Sequence, residues 1–255
     1  MSCGWWEYRI QSSFLMRLYT ILFGVPDLHS HIRFRAVKKL FQRKSRNVEV
    51  GAGKGIMSIG FYYTVKKPII AVTYQIEEFE HLKNKIKKLG LDCVIKVMQG
   101  DAMYIDSCIK RYSTEQVLLI DVLEHVYDDL KALKAINNIL VSGGYLVISC
   151  PTPYYPYYFG IEFDKAIGHL RHYTLKDLKT LLERSGFKIL DYYYYTSSTN
   201  SLLCRIYYAH IRRHYYKALI MPLLSILSLI FEKRNRHCKG HSSLAILAIK
   251  SGDVI

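Results

Sequence analysis

The run Val48-Glu49-Val50-Gly51-Ala52-Gly53-Lys54-Gly55 sets three glycines at alternate positions directly after an apolar segment. Glycine lets main chain touch a ligand at points where any Cβ would collide. Three nucleotide-binding patterns compete for these residues. The dinucleotide fingerprint requires glycine where Ile56 stands. The phosphate-cradling G-x-x-x-x-G-K-[ST] requires glycine at Val48 and a hydroxyl residue at Gly55. The third, an acidic residue two places before the first of three spaced glycines, fits at every position. Glu49 would repel a pyrophosphate and suits a ligand that carries positive charge.

Farther along lie groups that can move a proton. Asp121, Glu124 and His125 follow an apolar run, and His169, Arg171 and His172 cluster before Thr174. Histidine titrates near neutrality and is the usual base for a hydroxyl acceptor, which makes Glu124, His125 and His169 the candidates. Arg171 has the fork that grips a carboxylate or phosphate through two bonds. Asp121, Glu124 and His125 also offer an oxygen-plus-imidazole set to a divalent cation. Acids equally suit a helix start, and no metal centre is expected.

These groups need a scaffold, and the chain supplies an α/β rhythm. Apolar runs at Val48–Gly51, Ile69–Tyr74, Cys93–Met98, Gln116–Asp121 and Gly144–Cys150 read as strands covered on both faces. Between them Ile56–Val65, Glu77–Leu89 and Asp128–Leu140 read as helices; Phe79, Leu82, Ile86 and Leu89 form one apolar stripe. Thr174 and Asp177 make a capping-box pair for a helix that ends at Arg184, before Gly186. Phe187–Tyr195 and Leu244–Lys250 are two further strands. Upstream, Phe14–Phe23 is broken by Gly24-Val25-Pro26, and Ser30 is the expected cap of a second helix. Such a pattern predicts an open, doubly wound sheet.

In their order and spacing the motifs resemble the class I S-adenosylmethionine-dependent methyltransferases. Glu49-Val50-Gly51-Ala52-Gly53-Lys54-Gly55 matches the glycine motif, and Gln99-Gly100-Asp101-Ala102 stands where the family keeps an acid for the adenine amino group. Ile120-Asp121-Val122-Leu123-Glu124-His125-Val126 is similar to the family's "D-V-L-E-H-V", and Ser142-Gly143-Gly144 to its "P-G-G" turn. Gly168-His169-Leu170-Arg171-His172-Tyr173-Thr174, with Gly186-Phe187, resembles the type 11/12 subgroup. The match covers roughly residues 30–195 and the last strand. It implies a Rossmann-like, seven-stranded sheet, parallel with a C-terminal antiparallel hairpin, and S-adenosylmethionine as cofactor. It places Glu49, Gly51, Ala52, Gly53, Gly55, Thr73, Tyr74, Asp101, Ala102, Asp121 and Val122 at the cofactor, and Arg171, His172 and Tyr173 at the acceptor. One position departs. Where the family has an acid gripping the ribose, this chain has Thr73, which can lose about 1–3 kcal/mol of charge-assisted hydrogen bonding; Gln75 or Glu77 are candidates to compensate.

Composition narrows the acceptor. The chain carries 36 basic and 21 acidic residues in 255. Residues 1–48 hold nine basic against two acidic, residues 192–255 the same, and the stretch between is nearly neutral. A neutral core with basic flanks argues against a uniformly basic nucleic-acid binder and for contact with an anionic surface. The six cysteines form no close pair, which excludes a dense disulfide framework and a paired-cysteine zinc site. Three segments are expected: a helical 1–46, a core of 47–195 plus 243–255, and an amphipathic helical insertion at 196–242. In that insertion Arg205, Arg212, Arg213, Lys233, Arg234 and Arg236 bracket the apolar run Ala218–Phe231, with tyrosines at 207, 208, 215 and 216. As a helix the run reaches about 21 Å, short of the roughly 30 Å of a bilayer core. These features predict a cytoplasmic enzyme with a small lipidic or amphipathic acceptor and no obligate protein partner. Its insertion is expected to serve either as a lid over the site or as a peripheral contact with an anionic surface on the inner face of the membrane. The alternatives are a nucleic-acid or protein methyltransferase, or a binding member of the fold without catalysis.

Overall fold

Strands that are apolar on both faces have to be covered on both faces, and the computed structural model covers them with helices. It describes residues 3–11, 13–24, 27–211, 217–232 and 236–251. In chain order the elements are α1 (Phe14–Phe23), α2 (Leu28–Val37), β1 (Asn47–Val50), α3 (Ile56–Val65), β2 (Ile69–Thr73), α4 (Ile76–Leu89) and β3 (Ile95–Gln99). There follow α5 (Ile105–Cys108), β4 (Thr114–Ile120), α6 (Asp129–Ile139), β5 (Leu140–Pro151), α7 (Tyr155–Phe159) and α8 (Ile161–Ala166). The chain closes with α9 (Leu175–Arg184), β6 (Phe187–Ser197), α10 (Ser198–Ile206), α11 (Lys217–Ile230) and β7 (His241–Lys250).

One seven-stranded sheet has the order β3-β2-β1-β4-β5-β7-β6. The first five run parallel, and β7 lies antiparallel to both β5 and β6, which confirms the expected Rossmann-like architecture. One apolar layer joins the sheet to α2, α3 and α4; the other joins it to α5, α6 and α9. The strand order reverses between β1 and β4, and in open sheets ligands bind beyond the strand ends at such a point.

Local chemistry sets most boundaries. Thr174 and Asp177 form the predicted capping box. The start of α2 is corrected: Asp27, not Ser30, is the cap, and its carboxylate accepts the Ser30 amide at 2.8 Å. The tyrosine-rich stretch after Pro151 folds into α7 and α8, which alternation and periodicity do not disclose. The insertion is α10, a π-turn at Tyr207–Ile211, and α11. Helix α11 carries Pro222 yet continues through it. Arg212, Arg213, Tyr215, Tyr216, Lys233 and Arg234 lie outside the described residues. Of the cysteines, Cys3, Cys150 and Cys204 are buried and Cys93 and Cys108 exposed, and all six are free.

The N-terminal residues are fastened to the sheet layers. Trp6 is fully buried and stacks on Tyr63 with ring centroids 6.0 Å apart. Glu7 meets the buried Lys85 ammonium of α4 at 2.5 Å, and Lys85 also donates to the Lys54 carbonyl at 3.1 Å. Removing one member of such a pair strands the other's charge in a poorly solvated place. The variant Glu7→Ala is therefore expected to lose about 3 kcal/mol of stability in urea unfolding; a loss within experimental error would mean that the pair is solvated and idle.

Candidate active site

The turn after β1 is positioned by β2. The Val72 carbonyl accepts the amides of both Gly51 (2.9 Å) and Ala52 (2.8 Å), bending the chain across the strand ends. Gly51, Gly53 and Gly55 all have positive φ. Their reasons differ. A Cβ on Gly51 would lie 2.3 Å from Val122, and one on Gly55 2.3 Å from Leu82, so these two glycines are demanded by packing. A Cβ on Gly53 would meet only Glu78 Oε1, at 3.7 Å. Gly53 is the glycine that faces open space, where a ligand approaches.

Two cavities flank this turn. One, of about 490 Å³, is lined by Asp27, Ser30, Arg33, Ala52, Gly53 and Lys54 among others. The other, of about 290 Å³, is lined by Gly51, Tyr74, Asp101, Ala102, Val122 and His125 among others. The crevice thus gathers Gly51, Ala52, Gly53, Tyr74, Asp101, Ala102 and Val122 of the sequence candidates. A third cavity, lined by Arg46, Pro68 and Lys96, sits at the opposite ends of the strands.

Four candidates, Glu49, Gly55, Thr73 and Asp121, line neither cavity. Glu49 is buried beneath the turn, where Ser58 of α3 donates a hydrogen bond to it, and it lines neither crevice cavity. Burial pushes its carboxyl up to about 7, with the Ser58 bonds opposing. Gly55 serves helix packing, as above. Thr73 is fully buried, its hydroxyl has no partner, and it too lines neither cavity. The missing ribose acid has a neighbour that sequence reasoning did not pick out: Glu78 in the first turn of α4, whose carboxylate reaches Gly53. Gln75, Glu77 and Glu78 all lie outside the linings of the two cavities, and only Glu78 comes within contact distance of a Cβ built on Gly53. The signal for Glu78 was its place one turn beyond the end of β2.

Asp121 holds a strained backbone, with φ of +52°. Its amide donates to the Ser149 carbonyl at 2.9 Å, its carboxylate takes the Arg33 guanidinium at 2.6 Å, and Ser149 Oγ donates to it at 2.5 Å. Burial alone would raise its pKa; Arg33, His29 and Ser149 outweigh that and hold the carboxyl below its usual range. Arg33 was not anticipated, and only its place in a basic helix hinted at it.

Glu124 is the reverse case. It is fully buried, and among the described residues neither carboxylate oxygen has a side-chain hydrogen-bond donor. Burial first, then the charge of Asp121, drives its pKa well above the usual range. His169 Nε2 lies 3.9 Å from Glu124 Oε1. Asp164 accepts from His169 Nδ1 at 2.7 Å and from His172 Nε2 at 3.0 Å. Burial lowers the His169 pKa, with Asp164 opposing. His125 is exposed, lines the smaller cavity, and has Nδ1 3.0 Å from the Gly168 carbonyl.

Arg171 and Tyr173, expected at the acceptor, are used for anchoring. Arg171 pairs with Asp129 at 2.9 Å and donates to the Tyr127 carbonyl at 2.8 Å. Tyr173 is buried and donates to Asp129 at 2.8 Å. Both tie the loop after α8 to the start of α6, leaving His172 beside Asp164.

The chain matches the methyltransferase-domain family over residues 27–192, and it belongs to that family. No curated relative matches it at a significant level. Among solved structures it is similar to a S-adenosylmethionine-dependent methyltransferase of Thermotoga maritima, at 18% identity and TM-score 0.58 over 97% of this chain and all of that one. A S-adenosylmethionine-dependent methyltransferase of Archaeoglobus fulgidus is similar at 18% and 0.60, over 93% and all of the respective chains. The [4+2]-cyclase SpnF is similar at 16% and 0.63, over 86% and 80%. Such likeness shows the fold, and a cyclase among the neighbours shows that fold alone does not fix a reaction. S-adenosylmethionine is the cofactor this family implies, and the residues fit it: an open approach at Gly53, Asp101 at the end of β3, and carboxylates on both sides of the turn.

The buried Glu49 makes a pH prediction. Its native pKa is raised to about 7 from 4.5, so the native state binds its proton more tightly than the unfolded chain. That contribution is intact below 4.5 and is lost as pH rises through 7. Between pH 5 and 8, Glu49→Gln should gain about 2–3 kcal/mol relative to wild type in denaturant unfolding; parallel curves would show that Glu49 ionises freely in the fold.

Proposed function

We propose that this chain transfers a methyl group from S-adenosylmethionine to a hydroxyl-bearing lipidic or amphipathic acceptor at an anionic membrane surface. The observation that carries the cofactor half is the crevice at the β1–β4 switch point, where Gly53 alone among the three motif glycines is free of packing duty. Gly51, Ala52 and Gly53 would hold the methionine and ribose portions, with Glu78 supplying the carboxylate that Thr73 lacks. Asp101, Ala102 and Tyr74 would hold the adenine end. The cofactor brings an already activated methyl, so the protein aligns the acceptor, excludes water and accepts a proton. His125 and His169, their rings 4.9 Å apart, stand where that proton would leave.

Support for a lipidic acceptor comes from the outside of α1 and α11. Helix α11 packs through Met221 and Leu224 and leaves Leu219 (81% exposed), Leu223, Ile226 and Ile230 on its outer face. Helix α1, which touches α11, likewise exposes Phe14 (76%), Leu15, Leu18 and Leu22. Helix α11 is tied to α2 by Arg35, which bonds Glu232 and Ser228 at 2.7 Å each, and α2 lines the larger cavity through Arg33. An apolar face of this extent on basic flanks suits the headgroup boundary of a bilayer. Among the described residues no helix is long and apolar enough to cross a membrane.

Calorimetry with S-adenosylhomocysteine separates the parts. Wild type should bind, Gly53→Val should lose binding by more than tenfold while still unfolding cooperatively, and Glu78→Gln should lose about tenfold, in line with one charged hydrogen bond. No binding by wild type would end the methyltransferase reading. For the acceptor, tritiated methyl should pass into the solvent-extractable lipid of a bacterial membrane preparation. The paired variant Leu223→Asp, Ile226→Asp should abolish cosedimentation with phosphatidylglycerol vesicles and leave homocysteine-nucleoside binding intact. Label in RNA or protein, with no vesicle binding, would replace the lipid by a polymer acceptor.

A further inference from the structure

Two segments meet at the edge of the crevice: the turn after β4, with Glu124 and His125, and the loop after α8, with His169. They are fastened together. The Leu170 amide donates to the Glu124 carbonyl at 2.9 Å, and Arg171 spans from the loop to Asp129 and the Tyr127 carbonyl. This junction encloses a fully buried carboxyl whose two oxygens find no side-chain donor among the described residues, only its own amide favouring the charged form from the backbone. Buried carboxylates are ordinarily supplied with donors, because an unmatched one is costly.

The surrounding imidazoles are arranged in a particular sense. Asp164 can only accept, so His169 carries its proton on Nδ1 and turns the lone pair of Nε2 toward Glu124. The Gly168 carbonyl can only accept, so His125 donates from Nδ1 and has its Nε2 lone pair free. A carboxylate or a backbone carbonyl on the far nitrogen is how metal-ligating histidines are oriented. Ligand atoms of Glu124, His125 and His169 all lie within 4.8 Å of one another. The 3.9 Å between His169 Nε2 and Glu124 Oε1 is too long for a hydrogen bond. A tetrahedral ion with ligands about 2.1 Å away sets them about 3.4 Å apart, so the three side chains have to draw together by some tenths of an ångström on binding.

From this geometry we infer that Glu124, His125 and His169 form a site for one divalent transition-metal ion, with Asp164 and the Gly168 carbonyl as the orienting outer shell. Two imidazoles and one carboxylate select the zinc, iron and cobalt class over magnesium or calcium. With an ion bound, both Nε2 lone pairs are used, so the ion would take over from the histidines the task of making an acceptor hydroxyl more acidic. The proton would leave to solvent beside the exposed His125, the one ligand that lines the smaller cavity. The role in methyl transfer rests on the function proposed above; the binding of the ion does not. His172, held by the same Asp164 oxygen, stays outside the ligand set. This site revises the expectation that the chain has no metal centre, and its ligands differ from the Asp121, Glu124 and His125 set, because Asp121 is taken by Arg33.

The test is metal binding by the full chain after chelator treatment and dialysis. Titration with Co²⁺, followed by its visible absorption, and with Zn²⁺ by calorimetry, should give one equivalent per chain. Glu124→Gln and His169→Ala should each bind at least tenfold more weakly, and Asp164→Asn should weaken binding about 10- to 100-fold. His81→Ala, on the exposed side of α4, should bind as wild type does. Every sample is also titrated with S-adenosylhomocysteine, which reports that the crevice is folded. Wild type that binds the nucleoside but no stoichiometric cation overturns the metal site and leaves the methyltransferase reading standing. So does unaltered cation affinity in Glu124→Gln, since the ion would then lie elsewhere. Failure of nucleoside binding alone overturns the other reading.

Discussion

The strand ends of β1 and β4 lie side by side, and the turns that leave them have to pass in contact. This steric constraint shapes the whole crevice. Gly51 exists because Val122 occupies the space where its Cβ would be. Asp121, next to Val122, takes a left-handed conformation that costs a non-glycine residue about 1–2 kcal/mol. The bonds from Ser149 and Arg33 offset that cost, and Arg33 brings α2 over the crevice as it does so. The helical N-terminal segment is therefore part of the site rather than an appendage to it.

The same guanidinium sorts two carboxyl groups that lie three positions apart in the chain. Asp121 has Arg33 at contact distance and stays ionised. Glu124 has no side-chain donor among the described residues, lies deeper, and feels the negative charge of Asp121, and burial first and that charge second push its pKa well above the usual range. Opposite protonation of neighbouring acids is a common mark of a working site, because each is tuned by a distinct environment. The stretch "D-V-L-E-H-V" thus holds one carboxyl that fastens α2 and one whose pKa is shifted the opposite way.

What was legible in the sequence follows from which interactions are local. The strands, the helices Ile56–Val65 and Leu175–Arg184, and the capping box at Thr174 depend on periodicity and on residues a turn apart, and those could be read directly. The number of strands and the antiparallel C-terminal hairpin came from the motif resemblance. Pairings across long separations were hidden: Arg33 with Asp121, Glu7 with Lys85, Arg171 with Asp129. Arg171 is the instructive case. Its side chain has the right chemistry to grip an acceptor, but the nearest carboxylate is Asp129, and the fold supplies it first. Thr73 and Glu49 were placed at the ligand by motif position, whereas burial beneath the turn assigns both to the support of the strand ends.

Charge and apolar surface, both displaced to the ends of the chain, converge in space. Helix α1 belongs to the first basic flank and α11 to the last, and they touch. Helix α11 buries Met221 and Leu224 and exposes an apolar outer stripe, whereas α1 buries only Thr20 and leaves most of its large apolar residues exposed. Solvent-facing leucines scattered singly need no explanation, but two adjoining stripes add up to a surface that water disfavours. Because α11 is bonded to α2, and α2 carries Arg33 into the crevice, anything that seats α1 and α11 against a surface also sets the height of the catalytic opening above it.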